Sequence, residues 1–122
     1  MHENVLIYGA NGYTAELIIE LAVKEGGRPI LAGRSVDKIA PIAAKRNLKY
    51  RTFSLADPAA VAKGLEGVAV VLHCAGPFSR TAKPMAEGCI RAKAHYLDIT
   101  GEIEVFELMA SMSQRAADAG VM

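Results

Sequence analysis

The chain has 122 residues, 52% of them hydrophobic and 22% charged, with a formal net charge of +1. That length fits one domain with a packed core, and the near-neutral balance excludes a broad basic field for nucleic acid or an anionic membrane. No apolar run reaches the roughly 20 residues of a membrane-spanning helix. Residues 1–4 lead into the first apolar run without a leader pattern. Cys74 and Cys89 form no C-x-x-C pair, and His2, His73 and His95 lack zinc spacing. No metal is expected, and the thiols read as buried and reduced in a cytoplasmic protein.

In chain order, residues 4–8 form a first strand around Val5-Leu6-Ile7, followed by Tyr8-Gly9-Ala10-Asn11-Gly12-Tyr13-Thr14-Ala15. This is a strand, a glycine turn and a helix start. Gly9 allows the tight turn. Gly12 lets the backbone approach a diphosphate with no Cβ in the way, and Ala15 lets the helix pack close to the sheet. Unpaired N–H groups at the helix start then face the anion. The spacing is G-x-x-G-x-x-A rather than the commoner G-x-G-x-x-G. Tyr13 either covers the diphosphate or simply starts the helix. The helix is expected over residues 14–24, with Leu17, Ile18 and Leu21 on the core side, and Glu25-Gly26-Gly27 stops it.

A second strand, residues 28–32, ends in Gly33-Arg34-Ser35. In a dinucleotide fold the adenosine ribose lies there. A carboxylate at that place binds the 2′-hydroxyl of NAD, whereas an arginine accommodates the 2′-phosphate of NADP. No Asp or Glu precedes Arg34 in the strand. Arg34 presents a bidentate fork to phosphate, Ser35 adds a hydroxyl and Lys38 a second charge. The competing reading makes Arg34 a solvated loop cation. Ser35 also fits the N-cap of a second helix, residues 36–46, with Ile39, Ile42 and Ala43 inside and Pro41 either in the first turn or at a kink.

Residues 49–54 form a third strand. Asp57-Pro58 then reads as an N-cap with proline at the first helical position, opening a helix to about residue 65. The continuous apolar run over residues 68–74 has the character of a strand buried on both faces. Ala75-Gly76-Pro77-Phe78 breaks it, a helix follows over residues 83–94, and a fifth strand over residues 95–99. Thr100-Gly101-Glu102 turns into a last helix over residues 103–119, with Phe106, Met109 and Ala110 facing inward. This alternation predicts an α/β doubly wound parallel sheet of the Rossmann type, with strand order 3-2-1-4-5 and an end before a sixth strand. Ligands in such sheets bind beyond the carboxyl ends of the strands, where the order reverses. The glycine-rich and polar punctuation of the chain converges on those loops.

Four blocks, Gly-Ala-Asn-Gly-Tyr-Thr-Ala (9–15), Ala-Gly-Arg-Ser (32–35), Cys-Ala-Gly-Pro-Phe (74–78) and Tyr-Leu-Asp-Ile-Thr-Gly-Glu (96–102), together resemble the saccharopine dehydrogenase-like oxidoreductases, most of all the trans-acting enoyl reductase branch. The resemblance spans nearly the whole chain. It implies an NAD(P)-binding domain over residues 1–122 whose catalytic or substrate domain lies elsewhere. By position it assigns the diphosphate to Gly9, Ala10, Asn11, Gly12, Tyr13 and Thr14. It assigns the 2′-phosphate to Arg34 and Ser35, the adenine surroundings to Asp57, and the ribose and nicotinamide side to Ala75, Gly76, Pro77 and Phe78. The chain departs from the pattern at Ala15, where many relatives carry glycine. NADP is the expected cofactor, with NAD the alternative, and the small-molecule substrate is expected to meet the missing domain.

Candidates for a proton donor are Asp98, Thr100, Glu102, Tyr96 and Lys83, none of which the sequence singles out, and the catalytic residues are unknown. Asp98 and Glu102 read equally as turn and cap residues, Tyr96 as a packing residue and His73 as a core histidine. A short-chain dehydrogenase or epimerase would need Tyr-x-x-x-Lys. None of Tyr8, Tyr13, Tyr50 or Tyr96 has lysine four residues on. A non-catalytic NADP sensor is the alternative from another class. An uncovered edge at the fifth strand leads us to expect a homodimer through that edge or the last helix.

Overall fold

The computed structural model describes residues 4–74, 78–98 and 112–121. Five strands, β1 (Val5–Tyr8), β2 (Ile30–Gly33), β3 (Tyr50–Thr52), β4 (Val70–His73) and β5 (His95–Asp98), form one sheet in the order β3-β2-β1-β4-β5. Every neighbouring pair is parallel, and Tyr8 stands opposite Ala32 on one side and His73 on the other. The expected order is therefore the observed one. The order reverses between β1 and β4, so a crevice opens at their carboxyl ends.

The helices are α1 (Tyr13–Lys24), α2 (Val36–Lys45), α3 (Pro58–Gly64), α4 (Phe78–Ala92) and α5 (Ser113–Asp118). Successive strand residues point to opposite faces, so the sheet feeds two cores. On one face Ile7 and Leu31 pack with Ala15, Ile19, Ile39 and Ala43 of α1 and α2. On the other, Leu6, Val71 and Tyr8 pack with Val61, Leu65, Met85 and Cys89 around α3 and α4. Each fully buried Leu or Ile contributes about 1.5–3 kcal/mol.

Two expectations about elements need correction. In α1 the buried residues are Ala15 and Ile19, while Leu17 and Leu21 are 53% and 61% exposed. Apolar residues cover a broad arc of this helix opposite the narrow Glu16, Glu20 and Lys24 stripe, so periodicity alone does not select which part of that arc is buried. The small Ala15, fully buried beneath the turn, brings the helix close to the sheet and sets its rotation. In α4 the helix begins at Phe78, five residues before the expected start, with Pro84 inside it. Proline removes one helical hydrogen bond there, but Ala82, Met85, Ala86 and Cys89 form a buried i, i+3, i+4, i+7 stripe that outweighs the loss. Ser35 occupies the N-cap of α2 with extended backbone, yet its side chain makes no capping bond. Pro41 lies inside α2, on its exposed side, and the helix continues through it.

Asp57 caps α3 as expected, its carboxylate accepting the Ala59 N–H at 3.0 Å, with Pro58 in the first helical position. The proposed turn at residues 100–102 and the inner stripe of Phe106, Met109 and Ala110 lie outside the described residues. No described helix is long and apolar enough to cross a membrane.

Candidate functional site

Gly9 leaves β1 with φ of +83°, a backbone conformation that favours glycine. The turn is pinned to the neighbouring strand: the Gly9 and Ala10 N–H groups both donate to the Ala32 carbonyl, at 2.8 and 3.1 Å, and the Gly12 N–H donates to the Gly9 carbonyl at 3.0 Å. Gly12 is the N-cap of α1 and carries no side chain to cap it. The first-turn amides of α1 therefore have no intrahelical acceptor and no capping side chain, which is the arrangement that receives an anion. A Cβ on Gly12 would lie 3.4 Å from the Gly9 carbonyl oxygen and 4.0 Å from that of Cys74. It would fill the cradle between β1 and β4 without colliding with backbone.

This cradle is one end of a crevice of about 660 Å³, within the size range of small-molecule sites, roughly 300–1,000 Å³. Gly9, Asn11 and Gly12 form its floor with Tyr8. Gly33, Arg34, Ser35 and Lys38, from the end of β2 and the first turn of α2, form one wall. Ser54, Leu55 and Ala56, from the loop after β3, extend that wall, and Cys74, Thr81 and Pro84 close the side next to β4. The lining holds Arg34 and Lys38 and, among the described residues, no carboxylate. Burial raises the Tyr8 phenol above its usual pKa of 10.0, and the Arg34 charge opposes that rise, so the positive charge is felt at the crevice floor. The Tyr8 hydroxyl donates to the Phe53 carbonyl at 2.7 Å, reaching past β2 where the opposing residue is only Ala32. Burial pushes the Cys74 thiol up to about 11, so it stays protonated at neutral pH and is no nucleophile there.

The expected site residues fall into three groups. Gly9, Asn11, Gly12, Arg34 and Ser35 line the crevice together. Ala10 is buried under the turn, while Tyr13 and Thr14 point outward, Tyr13 being 79% exposed, and Asp57 caps α3 outside the lining. Ala75, Gly76 and Pro77 lie outside the described residues, and Phe78 opens α4. The sequence reading missed Ser54, Leu55, Thr81 and Pro84, which reach the crevice only through tertiary packing. A hydroxyl residue soon after β3 is the one signal that was available.

A second cavity of about 510 Å³ lies beside β5, walled by Cys89, Ile90, Leu97, Met112 and Val121 with Tyr96 and Asp98. It is apolar and has no anion cradle. Among the described residues no cluster of His, Cys, Asp or Glu fits a metal ion.

A parallel sheet in this order, with an open helix N-terminus at the reversal point and a guanidinium at the end of β2, defines a dinucleotide-binding Rossmann domain. Residues 5–122 match the family model described as the saccharopine dehydrogenase NADP binding domain, and the chain belongs to that family. NADP is its cofactor. The Gly12 cradle, the carboxylate-free lining and the Arg34–Lys38 pair fit such a dinucleotide. The human saccharopine dehydrogenase-like oxidoreductase is 30% identical over 138 aligned residues, covering 97% of this chain and 32% of that protein. A trans-acting enoyl reductase of Mycobacterium leprae is 32% identical over 107 residues, covering 82% of this chain and 26% of the relative. Saccharopine dehydrogenase (L-Glu forming) from Saccharomyces cerevisiae superposes with a TM-score of 0.81 at 21% identity, over 99% of this chain and 26% of its own, a likeness of fold. The chain thus spans about a third or less of the length of these relatives.

Proposed function

We propose that this chain is the NADP-binding unit of a saccharopine dehydrogenase-like oxidoreductase and that residues outside these 122 complete the substrate site. The observation that carries the reading is the juxtaposition of the Gly9–Gly12 cradle with Arg34, Ser35 and Lys38 in one carboxylate-free crevice. The first-turn amides of α1 hold the diphosphate, assisted by the helix dipole. The Arg34 guanidinium, the Ser35 hydroxyl and the Lys38 ammonium hold the 2′-phosphate. The loop after β3, ahead of Asp57, flanks the adenine. The segment from Ala75 to Phe78 meets the ribose and nicotinamide side. When bound, the nicotinamide supplies or accepts a hydride.

The chain's own part is to bind, orient and exclude water. Among the described residues, Tyr96 and Lys83 are not placed to give a proton, and Thr100 and Glu102 lie outside them. Tyr96 is held in hydrogen bonds away from the crevice, and Lys83 is exposed on α4. Because the chain spans about a third of its human relative, we assign the proton donor to the remainder of a full-length enzyme, and these 122 residues alone are expected to turn over no substrate. The free thiols support a reducing, cytoplasmic setting. The outermost position of β5, with Leu97 45% exposed on it, supports pairing of two copies along that edge. A dimer mass in gel filtration is the expected result, and a monomer peak would remove that part.

Titration with NADPH and NADH tests the cofactor assignment. The chain is expected to prefer NADPH, and Arg34→Ala to abolish the preference, a change of about 1.5–3 kcal/mol for a charge-assisted contact. Equal affinity of the unaltered chain for the two nucleotides would overturn the role given to Arg34.

A further inference from the structure

Four rings run side by side across the α3–α4 face of the sheet, just under the crevice. Phe53 follows β3, Tyr8 ends β1, His73 ends β4 and Tyr96 sits in β5. Their centroids are 5.1 Å apart for Phe53 and Tyr8, and 5.9 Å apart for both Tyr8–His73 and His73–Tyr96. The last two pairs are edge-on, at 87° and 81°. His73 has no exposed surface. Its Nδ1 lies 3.2 Å from the Tyr96 hydroxyl, and that hydroxyl lies 2.8 Å from Oδ2 of Asp98, the residue opposite His73 in the sheet register.

A phenol has one proton to give, and a carboxylate has none. The shorter contact, to the charged acceptor, takes the Tyr96 proton. The Tyr96 oxygen can then only accept from His73, so Nδ1 must carry a hydrogen. We propose that Tyr96 is a positioning residue: with its proton committed to Asp98, it fixes His73 as the Nδ1–H tautomer and so holds the end of β4 in register beneath the dinucleotide crevice. The direction of the chain is His73 to Tyr96 to Asp98. The ring that it locks stands edge-on to Tyr8, whose hydroxyl is bonded to the Phe53 carbonyl where the adenosine-side wall begins. Burial and the bond to Asp98 both push the Tyr96 phenol upward, so it keeps its proton throughout the physiological range. The consequence for the cofactor rests on the crevice reading above, whereas the tautomer does not.

The test is long-range 1H–15N correlation NMR of the histidine rings in the ligand-free chain, with NADPH titration of the same samples. In the unaltered chain Nδ1 of His73 is expected to show the protonated, pyrrole-like nitrogen shift. In Asp98→Leu the phenol is released, donates to Nδ1 instead, and the ring switches to the Nε2–H form. Asp98→Asn, which keeps a carbonyl acceptor, is expected to preserve the original tautomer. Tyr96→Phe removes the acceptor for Nδ1–H and is expected to depopulate that form and to weaken NADPH binding roughly three- to tenfold, the equivalent of one neutral hydrogen bond. An unprotonated Nδ1 in the unaltered chain overturns the proposal, even if Asp98→Leu does not fold. An unchanged tautomer in Tyr96→Phe or in a folded Asp98→Leu overturns it too. The expected tautomers with unaltered NADPH affinity in Tyr96→Phe would remove the link to the crevice, while loss of NADPH binding by the unaltered chain itself would count against the function proposed above.

Discussion

Gly12 has an ordinary φ of −80°, open to any residue, so what glycine contributes there is the absence of a side chain. The nearest atom to an added Cβ is a carbonyl oxygen at ordinary contact distance. Gly12→Ala is therefore expected to fold, with a loss of about 1 kcal/mol or less from the poorer N-cap. Its Cβ stands where the diphosphate would rest, so NADPH affinity should fall by roughly tenfold or more. Thermal melts and nucleotide titration on one preparation separate the two effects, and unchanged affinity would contradict the cradle. The glycine turn and Arg34 were legible in the sequence because their chemistry is local: one needs a missing Cβ, the other a charge at a strand end. Thr81 and Ser54 were not. They reach the same crevice from elements far apart in sequence, and apart from a hydroxyl soon after β3 nothing local marks the approach. His73 was legible as a core histidine, but its bond to Tyr96 depends on the pairing of β4 with β5 and could not be read from either strand alone.

At the level of elements, α1 shows how far pattern carries. Its existence follows from the strand–turn–helix junction, but its rotation does not, because Leu17, Ile18, Ile19 and Leu21 belong to an apolar arc too wide for the narrow Glu16, Glu20 and Lys24 stripe to choose the buried side within it. The structure buries Ile19 completely and leaves Leu17 half exposed. Ile19→Ala should cost about 2–5 kcal/mol as a core truncation, and Leu17→Ala should stay within about 0.5 kcal/mol as a surface change. Urea unfolding of the two variants checks this, and equal losses would mean the helix is rotated. The same element is tied to α2 by Arg46, which pairs with Glu20 at 3.0 Å and Glu16 at 3.8 Å. Both glutamates are exposed, so the pairing fixes orientation more than it adds stability. The early start of α4 was hidden by Pro84. A proline reads as a boundary when only sequence is visible, yet its fixed φ is helical, and one lost hydrogen bond is small against a buried four-residue stripe. Asp57-Pro58 misled nothing, since the cap and the first-turn proline act within a single turn.

At the scale of the molecule, the topology was the most legible property. Alternating strands and helices admit few arrangements once crossovers are right-handed, and order 3-2-1-4-5 places the glycine turn at the reversal point. The position of the crevice follows from that order, with no further information needed. The extent of the proposed full-length enzyme does not, and the chain's share of about a third of its human relative is why the proposal assigns substrate and proton donor outside it. In the proposed complex NADP lies across the carboxyl ends of β1, β2 and β4. Backbone amide shifts of the chain, followed while NADPH is added, test this most directly. The largest changes are expected at Gly9 to Tyr13, at Arg34 and Ser35, and in the loop of Ser54 to Ala56, with the surroundings of Leu97 and Met112 unmoved. Changes confined to the cavity beside β5, with the glycine turn silent, would contradict it.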